Sequence, residues 1–316
     1  MPALIAAAAA AVWICSLVST RLTLAVLNRR QILDHPNERS SHSIAVPRGL
    51  GIGVIPVVLA AWFLLGGTEA RWMCAGAAVL AVMSWIDDLR DLHAGWRFIA
   101  QIGVTSAAVS IMAIPQYFGL PVLLIRAGIV FFWVAFINQV NFTDGIDGNL
   151  GTMLACVGIG LFLAVSGELG VLSLMIAAAA GGFLVWNWHP ARGFMGDVGS
   201  IPLGFLLGWL LLRTIFIGQW SVAVILPLFY FADTFVTYSK RIVRVGLSLW
   251  RPHREYLYQR ATATKSHSHV VLAILACNIV LICLAVVAVR GFVWQALLAA
   301  LVPVVATYAY LASASK

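Results

Sequence analysis

Charged residues are scarce in this sequence, and their scarcity excludes most soluble proteins. Asp, Glu, Lys and Arg make up 10% of the 316 residues, whereas they make up about a quarter of a typical soluble domain. Apolar runs recur along the whole chain, and the mean hydropathy is +0.96. Polar stretches long enough to build a separate soluble domain are missing. The sequence therefore predicts a single integral membrane domain over residues 1–316.

Cysteine patterns and processing signals are also missing. The five cysteines all lie in apolar runs and have no metal-ligand spacing, so neither a disulfide framework nor a cysteine-bound zinc ion is expected. We expect each to act as a small buried hydrophobic residue. Residues 1–20 lack a basic segment and a cleavage site, which favours a first spanning helix over a cleaved signal peptide.

Long apolar runs are what the sequence has in abundance. Runs of about 15 to 20 residues can each cross a bilayer, and they predict about ten or eleven transmembrane helices. These lie at residues 2–20, 49–66, 72–86, 98–114, 120–137, 150–166, 171–188, 198–217, 219–238, 269–289 and 291–312. The predicted fold class is all-α, a polytopic helical bundle in the lipid bilayer.

One set of connections between these helices carries most of the charge. Its members are residues 21–48, 87–97, 138–149, 189–197, 239–268 and the C-terminal tail. They hold sixteen of the twenty Lys and Arg residues, and by the positive-inside rule this side is cytoplasmic. Juxtamembrane Lys and Arg also account for the net charge of +8, so nucleic acid is not an expected partner.

The other polar residues are segregated in the same way. Ten of the twelve carboxylates and all seven histidines fall on the cytoplasmic side. Because the positive-inside rule does not govern these residue types, their grouping predicts a reaction face on the cytoplasmic loops. The alternative is that polar residues collect wherever the loops are long.

The pair Asp87 and Asp88 directly follows the apolar run 72–86. Adjacent carboxylates raise one another's pKa unless a cation balances them, so such a pair usually binds a divalent metal ion or shares a proton. A solvated helix end with Arg90 and Arg97 as partners is the alternative.

The segment Asn138–Gly148 places two asparagines, two aspartates and two glycines between long apolar runs. Asn and Asp offer the hard oxygen ligands that Mg²⁺ prefers, and the glycines allow tight turns and close approach of the backbone to a phosphate. A short turn that needs Gly and Asp for backbone reasons is the alternative.

The segment Gly193–Ser200 has the same combination of an acidic residue and glycines, at the start of a predicted helix. It holds Asp197 between Gly196 and Gly199, and a helix N-terminus favours anionic oxygens. The alternative is that Asp197 is only the helix N-cap. Asp233 lies inside the predicted span 219–238, and because an ionised Asp is costly in lipid, it should face the bundle interior or lie close to the interface.

Two basic segments complete the cytoplasmic side. One runs from Asp34 to Gly49 and includes Arg48, and the other, residues 251–260, mixes Arg and His with groups that can hydrogen-bond a sugar. Guanidinium groups suit phosphate, so both segments predict phosphate binding. Anchoring to anionic lipid, worth about 1 kcal/mol per basic residue, is the alternative.

In this order the motifs resemble those of the polyprenyl-phosphate N-acetylhexosamine-1-phosphate transferases, glycosyltransferase family 4. These bacterial enzymes begin O-antigen, teichoic acid and peptidoglycan lipid intermediates. The resemblance spans nearly the whole chain and rests on Asp87-Asp88, Asn138-x-x-Asn141-x-x-Asp144-Gly-x-Asp147-Gly, Phe194-x-Gly196-Asp197-x-Gly199-Ser200 and the loop from His253 to Arg260. That last loop is most similar to the O-antigen-initiating branch.

The resemblance implies transfer of a sugar 1-phosphate from a UDP-N-acetyl sugar to undecaprenyl phosphate, with release of UMP. GlcNAc, QuiNAc and FucNAc all remain open as the sugar. It further implies a multi-pass protein of the bacterial inner membrane whose active site faces the cytoplasm, a Mg²⁺ cofactor with Mn²⁺ as a substitute, and it suggests a homodimer. A phosphate monoester is largely dianionic near neutral pH, which favours direct attack on the nucleotide sugar.

The resemblance also assigns roles to residues. Asp197 and Asn141 are the expected metal ligands. Asp87, Asp88 and Asp197 are the expected catalytic residues, the first two holding the lipid phosphate or taking its proton. Phe194 and Asp147 are expected at the uracil, and the rest of the expected substrate-binding set is Asp144, Arg97, Arg48, His253, Arg254 and Arg260.

The chain departs from the family pattern at two places. Family members often have His-x-His-His where this chain has His253 to Tyr256, and we expect this difference to bear on which sugar is accepted. In the first loop, Ala45 stands where Pro is usual and Leu50 where Gly is common.

An ion-coupled secondary transporter is the main alternative, since intramembrane acids and glycine-broken helices mark such carriers. Transporter sites lie near the bilayer midplane in repeated halves, whereas these acids lie at span ends and the sequence shows no internal repeat. An intramembrane aspartyl protease that used Asp197 and Asp233 would leave the Asn138–Gly148 segment unexplained. A CDP-alcohol phosphotransferase would need an Asp-Gly-x-x-Ala-Arg pattern, which the chain lacks.

Overall fold

In the computed structural model, helices account for most of the chain. The structure describes residues 2–34, 45–90, 94–115, 121–246 and 254–313. The helices are α1 (Pro2–Arg30), α2 (Gly51–Leu65), α3 (Thr68–Arg90), α4 (Ala94–Ile111), α5 (Val122–Phe142), α6 (Asn149–Ala164), α7 (Glu168–Asn187), α8 (Asp197–Phe216), α9 (Trp220–Ile225), α10 (Leu228–Val245), α11 (Leu257–Ala261), α12 (His267–Val289) and α13 (Val293–Ser313). A 3₁₀ turn covers Thr143–Gly145. The predicted helical fold class is confirmed.

One short β ladder interrupts the helical pattern. Strands β1 (Leu33–Asp34) and β2 (Val46–Pro47) pair antiparallel, with Leu33 opposite Pro47. The ladder closes the loop that leads from α1 to α2, and it fixes the backbone immediately before Arg48.

Several helices are long and apolar enough to cross a bilayer. In the described part of the chain there are six of them, α1, α5, α7, α8, α12 and α13, and α2 and α6 are shorter apolar helices. Large apolar side chains such as Leu123, Phe132 and Leu298 are about 70% exposed, which is the arrangement expected of a surface that faces lipid. The chain is therefore a multi-pass membrane protein.

The predicted span 219–238 is not a single helix. It divides into α9 and α10 at Leu226-Pro227. Pro227 has no backbone N–H, and its ring clashes with the carbonyl group of the preceding turn, which breaks the helix. Pro56, Pro202 and Pro303 lie inside intact helices, so neighbouring contacts decide whether a proline in this bundle breaks its helix.

Helix α8 lies at the centre of the bundle. It packs against α3, α5 and α2. Within its most apolar stretch of 18 residues, 83% is buried, the largest share among the long apolar helices. Helix α7 packs against α6 and α1 on another side. A residue at the N-terminus of α8 is therefore surrounded by the ends of several other helices.

Two expectations about local structure were wrong. The acidic motifs were predicted to lie on loops, but α3 continues to Arg90 and α5 to Phe142, so Asp87, Asp88 and Asn141 are held by the ends of helices. Among the cysteines, Cys15 and Cys283 are exposed rather than buried, because they lie on outward faces of α1 and α12.

Candidate active site

The first basic segment is joined to the loop before α8 by backbone hydrogen bonds. The N–H groups of Gly49 and Leu50 donate to the carbonyl oxygen of Phe194 over 3.2 and 3.0 Å, and the Phe194 N–H donates to Pro47 O over 2.9 Å. This pairing places Arg48, which lies between Pro47 and Gly49, beside the N-terminus of α8.

Glycine allows α2 and α8 to begin in contact with each other. A Cβ atom on Gly51 would lie 2.3 Å from the Cα of Gly199, so a larger residue would force the two helix starts apart. Gly196, the residue before α8, has φ +71°, a backbone conformation that glycine adopts without strain. These two features bring the carboxyl group of Asp197 close to Arg48.

Asp197 is the first residue of α8 and is buried, with 2% of its surface exposed. Its Oδ1 accepts a hydrogen bond from Arg48 Nη2 over 2.6 Å, and its Oδ2 accepts one from Arg97 Nη1 over 2.5 Å. The N-cap position belongs to Gly196, so the alternative that Asp197 is only an N-cap is wrong. Two cations converge on this one carboxylate.

Arg97 also connects Asp197 to the paired aspartates at the end of α3. Its Nε lies 3.3 Å from Asp87 Oδ2. Asp87 is buried and Asp88 is exposed. The alternative of a solvated helix end therefore fits Asp88 and not Asp87, although Arg97 is a partner of Asp87 as that alternative expected. The Asp88 residue as a whole is exposed, but its carboxyl group is largely surrounded by protein. That burial and the nearby charge of Asp197 raise the pKa of Asp88 to about 7.

Asn141 completes the set around Asp197. Its Nδ2 donates to Asp197 Oδ1 over 3.0 Å and to Ser200 Oγ over 2.8 Å. Asp144 lies beside this group, because its Oδ2 accepts a hydrogen bond from the Gly196 N–H over 2.9 Å. The other oxygen of Asp144, Oδ1, is buried and has no hydrogen-bond partner among the described residues.

Asp147 belongs to a second cluster, with two histidines. Its Oδ2 lies 2.7 Å from His189 Nδ1, and its Oδ1 lies 3.1 Å from His267 Nδ1. Burial would raise the pKa of Asp147, but hydrogen bonds from His267 and His189 outweigh that effect and hold the pKa below its usual value. His189 and His267 were not among the predicted site residues.

Asn187 and Tyr258 also hold the site together, and neither was among the predicted site residues. Asn187 is fully buried, accepts a hydrogen bond from the Gly148 N–H and donates to Gly193 O, each over 3.0 Å. It therefore ties the two glycine-containing segments together. Tyr258 donates from its hydroxyl group to Phe142 O over 2.7 Å. Asn187 could have been recognised in the sequence as a single polar residue at the end of an apolar run.

The remaining predicted site residues are more scattered. Phe194 is buried, 6% exposed, and Arg254 is half-buried. Arg260 is exposed and lines a separate cavity of about 350 Å³ together with Lys240 and Arg244. His253 lies outside the described residues. Asp233 is buried in α10, where its Oδ1 accepts a hydrogen bond from the Leu257 N–H over 3.0 Å, so it supports α11.

A cavity of about 1320 Å³ adjoins the cluster around Asp197. Arg97, Asn138 and Asn141 line it with polar groups, and most of the remaining lining is apolar and comes from α4, α5 and α10. Two of these apolar side chains, Phe131 and Phe235, are 66% and 74% exposed. The site can therefore hold an anionic group next to a long apolar chain.

Comparison with known proteins agrees with this arrangement. Residues 70–215 match glycosyl transferase family 4. The chain is 29% identical over 314 residues to a probable undecaprenyl-phosphate N-acetylglucosaminyl 1-phosphate transferase of Bacillus subtilis (strain 168), covering 90% of this chain and 86% of the relative. It is 32% identical to a phospho-N-acetylmuramoyl-pentapeptide-transferase of Synechococcus sp. (strain JA-3-3Ab), covering 73% of this chain and 76% of the relative.

A third relative acts on a different polyprenyl carrier. The chain is 30% identical over 222 residues to a decaprenyl-phosphate N-acetylglucosaminephosphotransferase of Mycobacterium leprae (strain TN), covering 60% of this chain and 56% of the relative. The matched region includes the helices that hold Asp87, Asn141 and Asp197. The chain belongs to glycosyl transferase family 4, the polyprenyl-phosphate N-acetylhexosamine-1-phosphate transferases.

Proposed function

We propose that this protein transfers an N-acetylhexosamine 1-phosphate from a UDP-sugar to undecaprenyl phosphate, giving undecaprenyl-diphospho-sugar and UMP. The reaction takes place at the cytoplasmic face of the bacterial inner membrane, and its product initiates O-antigen or related cell-envelope polysaccharide synthesis. GlcNAc, QuiNAc and FucNAc are the candidate sugars, and the family resemblance suggests a homodimer.

The observation that carries this proposal is the junction between a charged cluster and an apolar cavity. Arg97 and Asn141 contact Asp197 and also line the cavity of about 1320 Å³. A polyprenyl phosphate has a dianionic head on a long hydrocarbon tail. Its phosphate would lie beside Arg97. Its isoprenoid chain would pack along α4, α5 and α10 and cover the apolar side chains there.

The donor set around Asp197 fits a Mg²⁺ ion. Mg²⁺ prefers oxygen ligands and is commonly held by one or two carboxylates together with substrate phosphates. Asp197 would supply a carboxylate, and Asn141 would supply its amide oxygen. The buried Oδ1 of Asp144, which has no hydrogen-bond partner among the described residues, adds a carboxyl oxygen close by. When bound, the ion would neutralise charge on the two phosphates that meet there.

Two arginines of the chain would also neutralise charge on the two substrates. The lipid phosphate and the nucleotide diphosphate are both anions and repel each other, and Arg48 and Arg97 reduce that repulsion. An oxygen of the lipid phosphate attacks the β-phosphorus of the UDP-sugar, and the bond from this phosphorus to the bridging oxygen breaks, so that UMP leaves with the electron pair. Asp87 and Asp88 orient the lipid phosphate or accept its residual proton.

The nucleotide and sugar contacts follow from the family resemblance. Phe194 and Asp147 are proposed to contact the uracil, and Arg254 and Arg260 the phosphates or the sugar, together with His253. Asp147 already has an imidazole at each carboxylate oxygen, so one of these imidazoles would have to give way for uracil to hydrogen-bond there.

The decisive experiment is an assay of UMP release by the purified protein. Undecaprenyl phosphate is supplied with each of a panel of UDP-N-acetyl sugars, and release is expected with at least one sugar, only when Mg²⁺ or Mn²⁺ is present. Asp197→Asn should lower turnover by at least about a thousandfold, since it removes the charge at the reacting phosphates. Absence of UMP release with every sugar would contradict the proposal, and transport of an intact nucleotide sugar would favour a carrier.

A further inference from the structure

We propose that Asp147, His189 and His267 form a binding site for a divalent transition-metal ion such as Zn²⁺. The three residues are distinct from the expected Mg²⁺ ligands Asp197 and Asn141. Asp147 is also the proposed uracil contact, so a bound ion and the uracil would compete for its carboxylate. This inference concerns metal binding alone and does not depend on the proposed transferase activity.

Three potential ligand atoms converge at this place. One atom from each residue, a carboxylate oxygen and two imidazole nitrogens, lies within 4.8 Å of the others. The two histidine rings are tilted by 42°, and their centroids are 5.2 Å apart. The shortest nitrogen-to-oxygen separations are 2.7 Å for His189 and 3.1 Å for His267. Ligands of a tetrahedral zinc ion lie about 3.3 Å apart, so small ring movements would admit the ion.

The contacts of His267 Nδ1 favour a cation in this space. This nitrogen lies 3.2 Å from the Asp147 backbone N–H, which donates to it, and 3.1 Å from Asp147 Oδ1. In the tautomer that accepts this hydrogen bond, Nδ1 has a lone pair beside the carboxylate, and a metal ion between the two would bind both. In the tautomer with a proton on Nδ1, the same contact is the hydrogen bond that lowers the pKa of Asp147, and metal binding would release that proton.

The ligand types select the kind of metal. Imidazole suits zinc, copper, iron and nickel ions, whereas Mg²⁺ and Ca²⁺ prefer oxygen. Two imidazoles and one carboxylate are a ligand set that zinc uses when it retains a fourth, open position. We therefore expect Zn²⁺, and its spectroscopic substitute Co²⁺, to bind here even when Mg²⁺ is in large excess.

The surroundings hold these ligands in place. Asp147 and His267 are 6% and 9% exposed, and the Ala191 N–H donates to Asp147 Oδ2 over 3.2 Å. The His189 side chain is 36% exposed, which leaves a path by which an ion can reach the site from solvent. Groups that fix the orientation of metal ligands raise affinity, because less ordering is needed on binding.

The experiment is a metal titration of the full-length protein in detergent, purified without a histidine tag and stripped with a chelator. Zn²⁺ is titrated by calorimetry in the presence of excess Mg²⁺, and Co²⁺ is followed by its visible absorbance. We expect one Zn²⁺ per chain, and a loss of affinity of at least about tenfold in both His267→Gln and His189→Gln. The matched control is His269→Gln, because His269 is exposed on the same helix and contacts Ser266.

The result that overturns the proposal is equal Zn²⁺ affinity in the wild type, in His189→Gln and in His269→Gln, or no binding at all by the folded wild type. The cluster would then be a set of hydrogen bonds only. If His267→Gln does not fold, the more exposed His189→Gln decides the question. Asp197→Asn should retain Zn²⁺ binding, so failure of the transferase assay and failure of this proposal are distinguishable.

Discussion

Asn141 donates a hydrogen bond from Nδ2 to Oδ1 of Asp197 over 3.0 Å, although 56 residues separate them in the chain. The amide therefore turns its nitrogen toward the carboxylate. A metal ion held by both residues requires the amide oxygen instead, because an amide nitrogen is a donor and not a ligand. We expect the Asn141 side chain to rotate when Mg²⁺ binds.

Replacement of Asn141 by Ala should raise the Mg²⁺ concentration needed for half-maximal UMP release by about tenfold or more, since the ion loses an oxygen ligand. The measurement is a Mg²⁺ titration of turnover. Asn138→Ala is the comparison. Asn138 lies on the same helix and lines the same cavity, but it hydrogen-bonds to Gln101 and Val134 O rather than to Asp197, so its replacement should leave the Mg²⁺ requirement unchanged. An unchanged Mg²⁺ dependence in Asn141→Ala would remove this residue from the metal site.

Arg97 should not be replaceable by Lys. Its Nε approaches Asp87 and its Nη1 donates to Asp197, and a single ammonium group cannot bridge two carboxylates with this geometry. We expect Arg97→Lys to lower kcat/KM by about 10 to 100-fold. Arg90→Lys, at the exposed end of α3, should leave it nearly unchanged. Similar values for the two variants would show that charge alone matters at position 97.

Mg²⁺ binding should release a proton from Asp88 near neutral pH. Burial of the carboxyl group, reinforced by the charge of Asp197, raises the pKa of Asp88 to about 7, so at pH 6.5 most of this group is protonated before metal binds. A nearby divalent cation favours the carboxylate and lowers that pKa. The released proton should therefore be present at pH 6.5 and absent at pH 8.5, where Asp88 is already ionised.

Calorimetry in two buffers of different ionisation enthalpy measures this proton. In Asp88→Asn the release at pH 6.5 should decrease, because the amide does not titrate. Release that is the same in Asp88→Asn as in the wild type would assign the proton to another group.

The predicted orientation can be tested with single cysteines at exposed positions. Ala263, between α11 and α12, and Ser166, between α6 and α7, are both exposed. Ala263→Cys should react with a membrane-impermeant maleimide only in inside-out vesicles, and Ser166→Cys only in intact cells. The reverse pattern would place the Asp197 cluster on the outer side.

The sequence predicted the helices and much of the Asp197 cluster for a physical reason. Asp87, Asn141 and Asp197 each stand at the end of an apolar run, and a polar group in that position is readily recognised. The break at Pro227 was missed, since Pro202 and Pro303 lie in intact helices and composition alone does not separate these cases.

The partners of Asp147 could not be predicted in the same way. His189 and His267 are 42 and 120 residues from it in sequence, and no spacing rule connects them. Their meeting depends on how α6, α7 and α12 pack, which is a property of the assembled bundle. The same holds for Arg48, whose position beside Asp197 depends on backbone hydrogen bonds between residues 47–51 and 194–195.

The apolar cavity beside Asp197 is bounded by α4, α5 and α10, and exposed side chains such as Phe131 and Phe235 line it. A polyprenyl phosphate bound there would arrive sideways, by diffusion in the plane of the membrane, while the nucleotide sugar arrives from water. The two substrates would then be supplied from different phases, the carrier lipid from the bilayer and the nucleotide sugar from water. The rate of the proposed transfer would depend on the mole fraction of carrier lipid in the bilayer, so adding inert lipid at constant total carrier would slow the reaction by surface dilution.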